Sequence, residues 1–318
     1  SDYFKMKIDL LYKGIIGILK DMKKLISIIL TALLLGTALF AEIPDEEITT
    51  MNFNPDHISK LDINFAAGNV KVQAVKTNEI TVTVTREYDA PAATTKIEKG
   101  TLSIKTKLFS NYKKKIDVLV DIPFGKEFEE IKTTCVSANS TIKNIDSKNI
   151  TITSGGGKVK IENCNISDHL KISGAGGQLS VEDSKVFYLT VSSVGGTTYI
   201  DDVTTSLVRT ESANGNIILK NMKTKAFESQ SASGSFEAQF ETMPAKDSWV
   251  KTSSGNIDLV FPKGAGYKAI INSLNGQFID NNTSVTAASC EDLISQFKNG
   301  EVEIKLSTKS GKATITSE

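Results

Sequence analysis

The sequence predicts an all-β fold: a parallel β-solenoid with about 19–21 residues per coil and a strand-rich N-terminal cap. Three observations carry this. Gly157, Gly177, Gly196, Gly215, Gly234, Gly255 and Gly276 follow one another at intervals of 20, 19, 19, 19, 21 and 21 residues. After each glycine the chain alternates with period two, the signature of a strand with one buried face. No long segment after residue 45 repeats with the helical period, which excludes helical bundles and dinucleotide-binding α/β folds.

Residues 1–21 precede a ready-made leader at Met22 and are expected to be upstream sequence rather than part of the fold. Residues 22–41 combine Met22-Lys23-Lys24, an uncharged run from Leu25 to Ala41 and an acidic start in "EIPDEE". A cationic segment, an apolar stretch and small residues before a polar start make a secretory signal peptide. Cleavage is expected after Ala41, with Gly36 and Ala38 marking an alternative site and an uncleaved membrane anchor left open. No Cys follows the apolar run, so a lipid anchor is not indicated, and any membrane contact is expected only through this segment.

Residues 42–133 hold successive alternating strands, "KLDINFAAGNVKVQAV", "EITVTVTREY", "GTLSIKTK" and "KKIDVLVDIPF", outside the strict repeat. They are expected to form a cap and first coils, because a solenoid must close its ends. Residues 134–283 are the regular repeats. Val159/Ile161, Leu179/Val181, Thr198/Ile200, Ile217/Leu219, Phe236/Ala238 and Ile257/Leu259 point inward after their glycines. A second strand precedes the glycine, with Leu170/Ile172, Leu189/Val191 and Val208/Thr210 at equivalent places. Glycine suits the turn because it accepts positive φ without steric cost. A polar column, Asn144, Asn163, Asp183, Asp202 and Asn221, marks the opposite corner, where Asn and Asp tolerate tight turns. The column is lost at Phe240 and Phe261, so the later coils are expected to widen or be covered. Residues 284–318 begin with a break in the period, Ser284–Asn299, with room for a short helix in "CEDLISQFK", and then return to strand.

The order of an early "AAGNVKV", strands leading to "VDIPF", serial glycine repeats, "SSGNIDLVFP" and a closing "KSGKATIT" resembles a bacterial family of candidate-adhesin β-solenoid domains of otherwise unknown function. The resemblance spans about Leu61 to Thr316. It implies the fold, and by analogy a role in surface interaction; it supplies no catalytic residues, and fold analogy is not evidence of activity.

The chemistry points the same way. Beyond residue 41 there are 31 basic against 34 acidic side chains, which gives no electrostatic reason to bind nucleic acid. The two histidines, His57 and His169, lie far apart without ligands in zinc spacing, so no metal site is expected, and no cofactor motif is present. Cys135, Cys164 and Cys290 are odd in number and widely spaced, and are expected to be free thiols. Asp183 and Asp202, one coil apart, could serve as the carboxylate pair of a carbohydrate-active enzyme. The corner column accounts for them without catalysis. With Asp201 they also offer oxygens to calcium, although the nonapeptide of calcium-loaded β-rolls is absent. On the outer face His169, Tyr188 and Leu207 are expected to stack, with Lys171, Thr190 and Arg209 beside them and Tyr199 facing out from the other strand. The candidate ligand-binding residues are therefore His169, Tyr188, Tyr199 and Arg209. The reading is an exported, non-enzymatic scaffold or binding protein of the cell envelope (periplasmic, cell-surface or secreted), with a glycan or protein ligand at the cell surface.

Overall fold

A computed structural model of the protein describes residues 46–88, 90–106 and 115–318. The leader reading for residues 22–41 and the extension at 1–21 lie outside the described residues. Glu46–Glu318 form one compact unit. It is all-β and solenoid-like, with a single short 3-10 turn at Pro55–His57 among the described residues. Among them no helix is long and apolar enough to cross a membrane.

The repeats pair in parallel with their successors. Gln178–Ser193, Thr197–Ser212 and Asn216–Ser231 lie side by side, Leu179 opposite Thr198 opposite Ile217, and Leu189 opposite Val208 opposite Phe227. Each of these long strands contains a post-glycine arm and a pre-glycine arm, so the stack has two sheets that face each other across the core. Every inward residue named above is buried, Thr198, Thr210 and Ala238 included. One repeat could not hide these side chains alone; stacking makes their burial continuous.

The two arms meet at the polar corner. Asn144, Asn163, Asp183, Asp202 and Asn221 all have positive φ, between 48° and 58°. Asn and Asp enter this left-handed region most readily among non-glycine residues, because their short polar side chains bond locally. Where the corner aspartates and asparagines end, an aromatic column begins. Phe227–Phe240, Phe240–Phe261, Phe261–Tyr267 and Tyr267–Phe297 follow with ring centroids 4.9, 5.4, 5.4 and 5.9 Å apart. Phe240 and Phe261 are buried, and Phe240 stands opposite buried Met222, so in the later coils the ladder shifts past the polar bend and a ring follows it inside.

The glycine turns come in two kinds. Gly157, Gly177 and Gly196 have φ of 90°, 84° and 82°, as expected. Gly215, Gly234, Gly255, Gly276 and Gly311 do not adopt positive φ. They keep only the constraint that Gly177 and Gly196 also carry: a Cβ on Gly215, Gly234, Gly255 or Gly311 would overlap the carbonyl oxygen of the glycine one coil below. In this second kind a hydroxyl three residues earlier accepts the glycine N–H, from Ser212 (2.8 Å), Ser231 (2.9 Å), Thr252 (2.9 Å), Thr308 (2.8 Å) and Ser273 (3.1 Å). In the first kind Ser154 and Ser193 instead donate to the carbonyls of Gly156 and Gly195. The sequences differ accordingly, with Gly-Gly in the early turns and Asn-Gly or Ser-Gly in the later ones.

Stacking order departs from chain order at both ends. Lys60–Phe65 and Gly68–Val75 lie between the arms of 101–123 and those of 127–143. At the other end Glu303–Thr308 and Lys312–Ser317 slip between 248–261 and Tyr267–Asp280. The glycine column therefore runs from Gly255 to Gly311 and only then to Gly276, which corrects the simple succession of Gly255 by Gly276. The segment Ser284–Asn299 is a strand, Val285–Phe297, antiparallel to Tyr267–Asp280, not a helix. Its alternating inward groups, Val285, Leu293 and Phe297, pack on the core, and this overrides the local helical preference of "CEDLISQFK". At the opposite end Ile80–Glu87 and Glu46–Phe53 add antiparallel strands, as does Thr94–Glu98. Antiparallel covers end the parallel ladder and leave no matching edge to extend.

Candidate functional site

The outer face of the pre-glycine sheet places His169 opposite Tyr188 and Tyr188 opposite Leu207, with Lys171, Thr190 and Arg209 in the next outward row. The His169 and Tyr188 rings have centroids 4.9 Å apart at 35°. Their neighbour Phe187 was not singled out from the sequence. It stands edge-on to Tyr188 at 4.5 Å and is 47% exposed. It stands out with Tyr188 between buried Val186 and Leu189, across from a bulge in the neighbouring strand, where Ser167 and Asp168 together oppose it as the ladder shifts between Ile166 and His169. Because two successive outward residues interrupt strict alternation, period-two counting passes over it. The only hint is a third non-polar residue in the run "VFYL".

Arg209 belongs to this face, but its guanidinium is engaged. Nε donates to Glu228 Oε2 at 2.7 Å. Tyr199 is on the other sheet, where its hydroxyl donates to Asp201 Oδ2 at 2.7 Å and Lys220 stands 6.0 Å from its ring. That hydrogen bond is the first cause holding the phenol above its ordinary pKa. The fold thus brings His169, Tyr188 and Arg209 to one face and keeps Tyr199 apart from them.

The polar corner carries the two aspartates weighed for catalysis. Asp183 and Asp202 occupy equivalent bends on successive coils, and Asp202 has Lys223 at 3.9 Å. Positive φ explains why Asp or Asn stands at each place. In the same column Asn163 Nδ2 donates to Asn144 Oδ1 at 2.8 Å, and Asn221 Nδ2 donates to Asp201 Oδ1 at 2.8 Å. Among the described residues no group of three or more His, Cys, Asp or Glu is placed to hold a metal ion.

Concavities lie along both turn columns. A shallow groove of ≈ 700 Å³ follows the glycine side and is lined mainly by Ser, Gly and Ala, with Val194 at its rim. A hollow of ≈ 620 Å³ lies at the polar corner beneath Phe124, and one of ≈ 330 Å³ adjoins Phe187. The cysteines offer no chemistry there. Cys135, Cys164 and Cys290 are all free. Burial pushes the Cys135 thiol up to about 12 and that of Cys164 up to about 11, so neither is a nucleophile near neutrality.

A family model for Toastrack DUF4097 matches residues 58–316. The chain belongs to this family. The match begins at Ile58, the first core residue before the inserted coil, and runs to the last strand, so the Toastrack unit is the whole stack. Among solved structures, a candidate adhesin of Parabacteroides distasonis is 12% identical, covers 86% of this chain and 97% of its own, and has a TM-score of 0.52. A candidate adhesin of Bacteroides fragilis is 15% identical over 86% and 97%, with a TM-score of 0.44. A candidate lipid-binding protein of P. distasonis is 14% identical over 87% and 98%, with a TM-score of 0.48. At these identities the likeness concerns the fold alone. No curated protein matches the chain.

Proposed function

We propose that this Toastrack chain is a parallel β-solenoid of about 19–21 residues per coil that serves as an exported, non-enzymatic binding scaffold of the cell envelope, adhesin-like in role. Its ligand, a glycan or a surface protein, docks on the outer face of the pre-glycine sheet. One observation carries this reading: Phe187, Tyr188 and His169 form a contiguous aromatic patch on the ladder, and its foremost ring stands outward opposite a bulge. Rings fixed by backbone pairing lose little entropy on binding, and aromatic residues dominate interface energetics. Arg209 and Glu228 flank the patch as a pre-formed ion pair that orients polar ligand groups. Export follows from the leader pattern at residues 22–41. The adhesin reading of the family resemblance agrees with this role.

The test is an array of glycans and matrix proteins probed with the full chain, beside mass spectrometry for cleaved products. Saturable binding without product, weakened at least tenfold by Phe187→Ser or Tyr188→Ala, is the expected result. Released product, abolished by Asp202→Asn, would replace the scaffold with an enzyme.

A further inference from the structure

We propose that the polar corner carries a groove for a neutral oligosaccharide, running from Phe124 across Asp183, Asn165 and Lys185 to Phe187. This rests on the ligand-binding reading above and names a ligand class for it, with an anchor separate from the aromatic patch.

The corner hollow of ≈ 620 Å³ is lined by Phe124, Asn144, Asp146, Asn163, Asp183 and Lys185, among others. Its neighbour of ≈ 330 Å³ shares Asn165 and Lys185 with it and continues past Phe187, Thr204 and Ser206 to Lys225. Both volumes fall in the range of small-molecule sites, about 300–1,000 Å³. An exposed ring stands at each end: Phe124 is 62% exposed and Phe187 is 47% exposed.

Phe124 is not loosely held. Lys126 N–H donates to Pro123 O at 3.2 Å across a turn whose third residue, Gly125, has φ of 78°. Glycine directly after the ring is the residue such a turn selects, because its third place needs positive φ. The Phe124 N–H also donates to Val75 O at 3.2 Å, which ties the turn to the inserted coil.

Part of the polar lining between the rings is already spent, since Asn163 donates to Asn144, but four side chains are not. The side chains of Asp146, Asn165, Asp183 and Lys185 make no hydrogen bond or ion pair among the described residues. On the adjoining arms of the same coils the charges do pair, in a chain from Lys143 to Glu162 (2.7 Å), Lys160 (3.2 Å) and Glu182 (2.9 Å). The corner thus keeps acceptors and a donor free while its surroundings neutralise theirs.

A saccharide ring offers an apolar C–H face and a rim of vicinal hydroxyls. Phe124 and Phe187 suit the first; carboxylates and carboxamides, which accept, and an ammonium, which donates, suit the second. The two carboxylates are balanced by Lys185 and Lys225, which favours an uncharged ligand. An apolar ligand would desolvate these charges without pairing them. A peptide joining by strand addition needs an unpaired edge, and the coils crossing this corner are already laddered on both sides.

The experiment titrates the full chain with short neutral oligosaccharides of the gluco-, manno-, galacto- and xylo-series, with uronate oligosaccharides as charged controls. At least one neutral series should bind saturably. Phe124→Ala should weaken that binding at least tenfold and Asp183→Asn several-fold, with the thermal midpoint unchanged; Asn keeps the corner's positive φ. If no neutral series binds, or if the uronates bind best, the groove proposal fails. Binding that survives Phe124→Ala but is lost in Tyr188→Ala also overturns the groove, and leaves the aromatic patch as the saccharide site. Capture of a surface protein alone, dependent on Tyr188, would likewise retain the scaffold and discard the groove.

Discussion

Replacing Gly234 by alanine isolates the close approach of successive coils from the question of backbone φ. Gly234 does not adopt positive φ, so alanine meets no Ramachandran barrier there. Its Cβ would lie 2.5 Å from the carbonyl carbon of Gly215 and nearer still to the oxygen, whereas ordinary contact begins at 3.4 Å. Relief requires neighbouring coils to part by more than an ångström at this turn, against a ladder spacing of about 4.8 Å. Overpacking of this order costs about 1–3 kcal/mol, and Gly234→Ala is expected at about 2–3 kcal/mol because backbone, not a flexible side chain, must yield. Gly125→Ala, with φ of 78° but open space around it, should cost about 1 kcal/mol from φ alone. Gly176→Ala, with neither constraint, should stay within about 0.5 kcal/mol of wild type. Urea unfolding followed at the single tryptophan, Trp249, and by far-UV circular dichroism reads the series. A Gly234→Ala midpoint that coincides with that of Gly176→Ala would refute the stacking argument for the later turns.

Asp280 is fully buried and is satisfied by donors from Tyr267 (2.7 Å), Ser295 (2.7 Å) and the Asn282 N–H (2.9 Å). Asp280→Ala strands these donors and should cost about 3 kcal/mol in unfolding free energy, far more than an exposed Asp258→Ala control. The pH dependence above neutrality follows from the thiols. Cys135 is raised from 9.0 to about 12, so from pH 9 upward the unfolded chain releases this proton first and stability falls until the folded thiol ionises near 12. Cys135→Ala should therefore flatten the loss of stability between pH 9 and 11 by about 2 kcal/mol, measured as the slope and not the absolute value. In the native state Ellman's reagent should titrate Cys290 alone of the three thiols, because Cys135 and Cys164 are buried; three fast thiols would contradict that burial.

Much of the coil was legible locally. Alternation at Leu179/Val181 or Ile257/Leu259 says which side of a strand is buried, whatever it packs against. The corner column could be read because positive φ is a property of one residue and its immediate neighbours, and Asn144 through Asn221 declare it. The outward row of His169, Tyr188 and Leu207 followed from counting. Phe187 and Phe124 escaped: one is the first of two successive outward residues, which breaks the count, and the other belongs to a turn outside the repeat, where nothing in the chain says which coil it overhangs.

The sequence by itself determined the parallel repeat, its length and its inward and outward faces, since each is a short-range pattern of side chain and turn. Only the tertiary structure decided the order of stacking, with 60–75 inserted between later segments and 303–317 between earlier ones, and the conversion of Ser284–Asn299 into an antiparallel cover. The reason is that every coil offers its neighbours the same ladder of N–H and C=O groups. Which one it accepts depends on how the ends are closed, and so does the placing of Phe124 over Asp183.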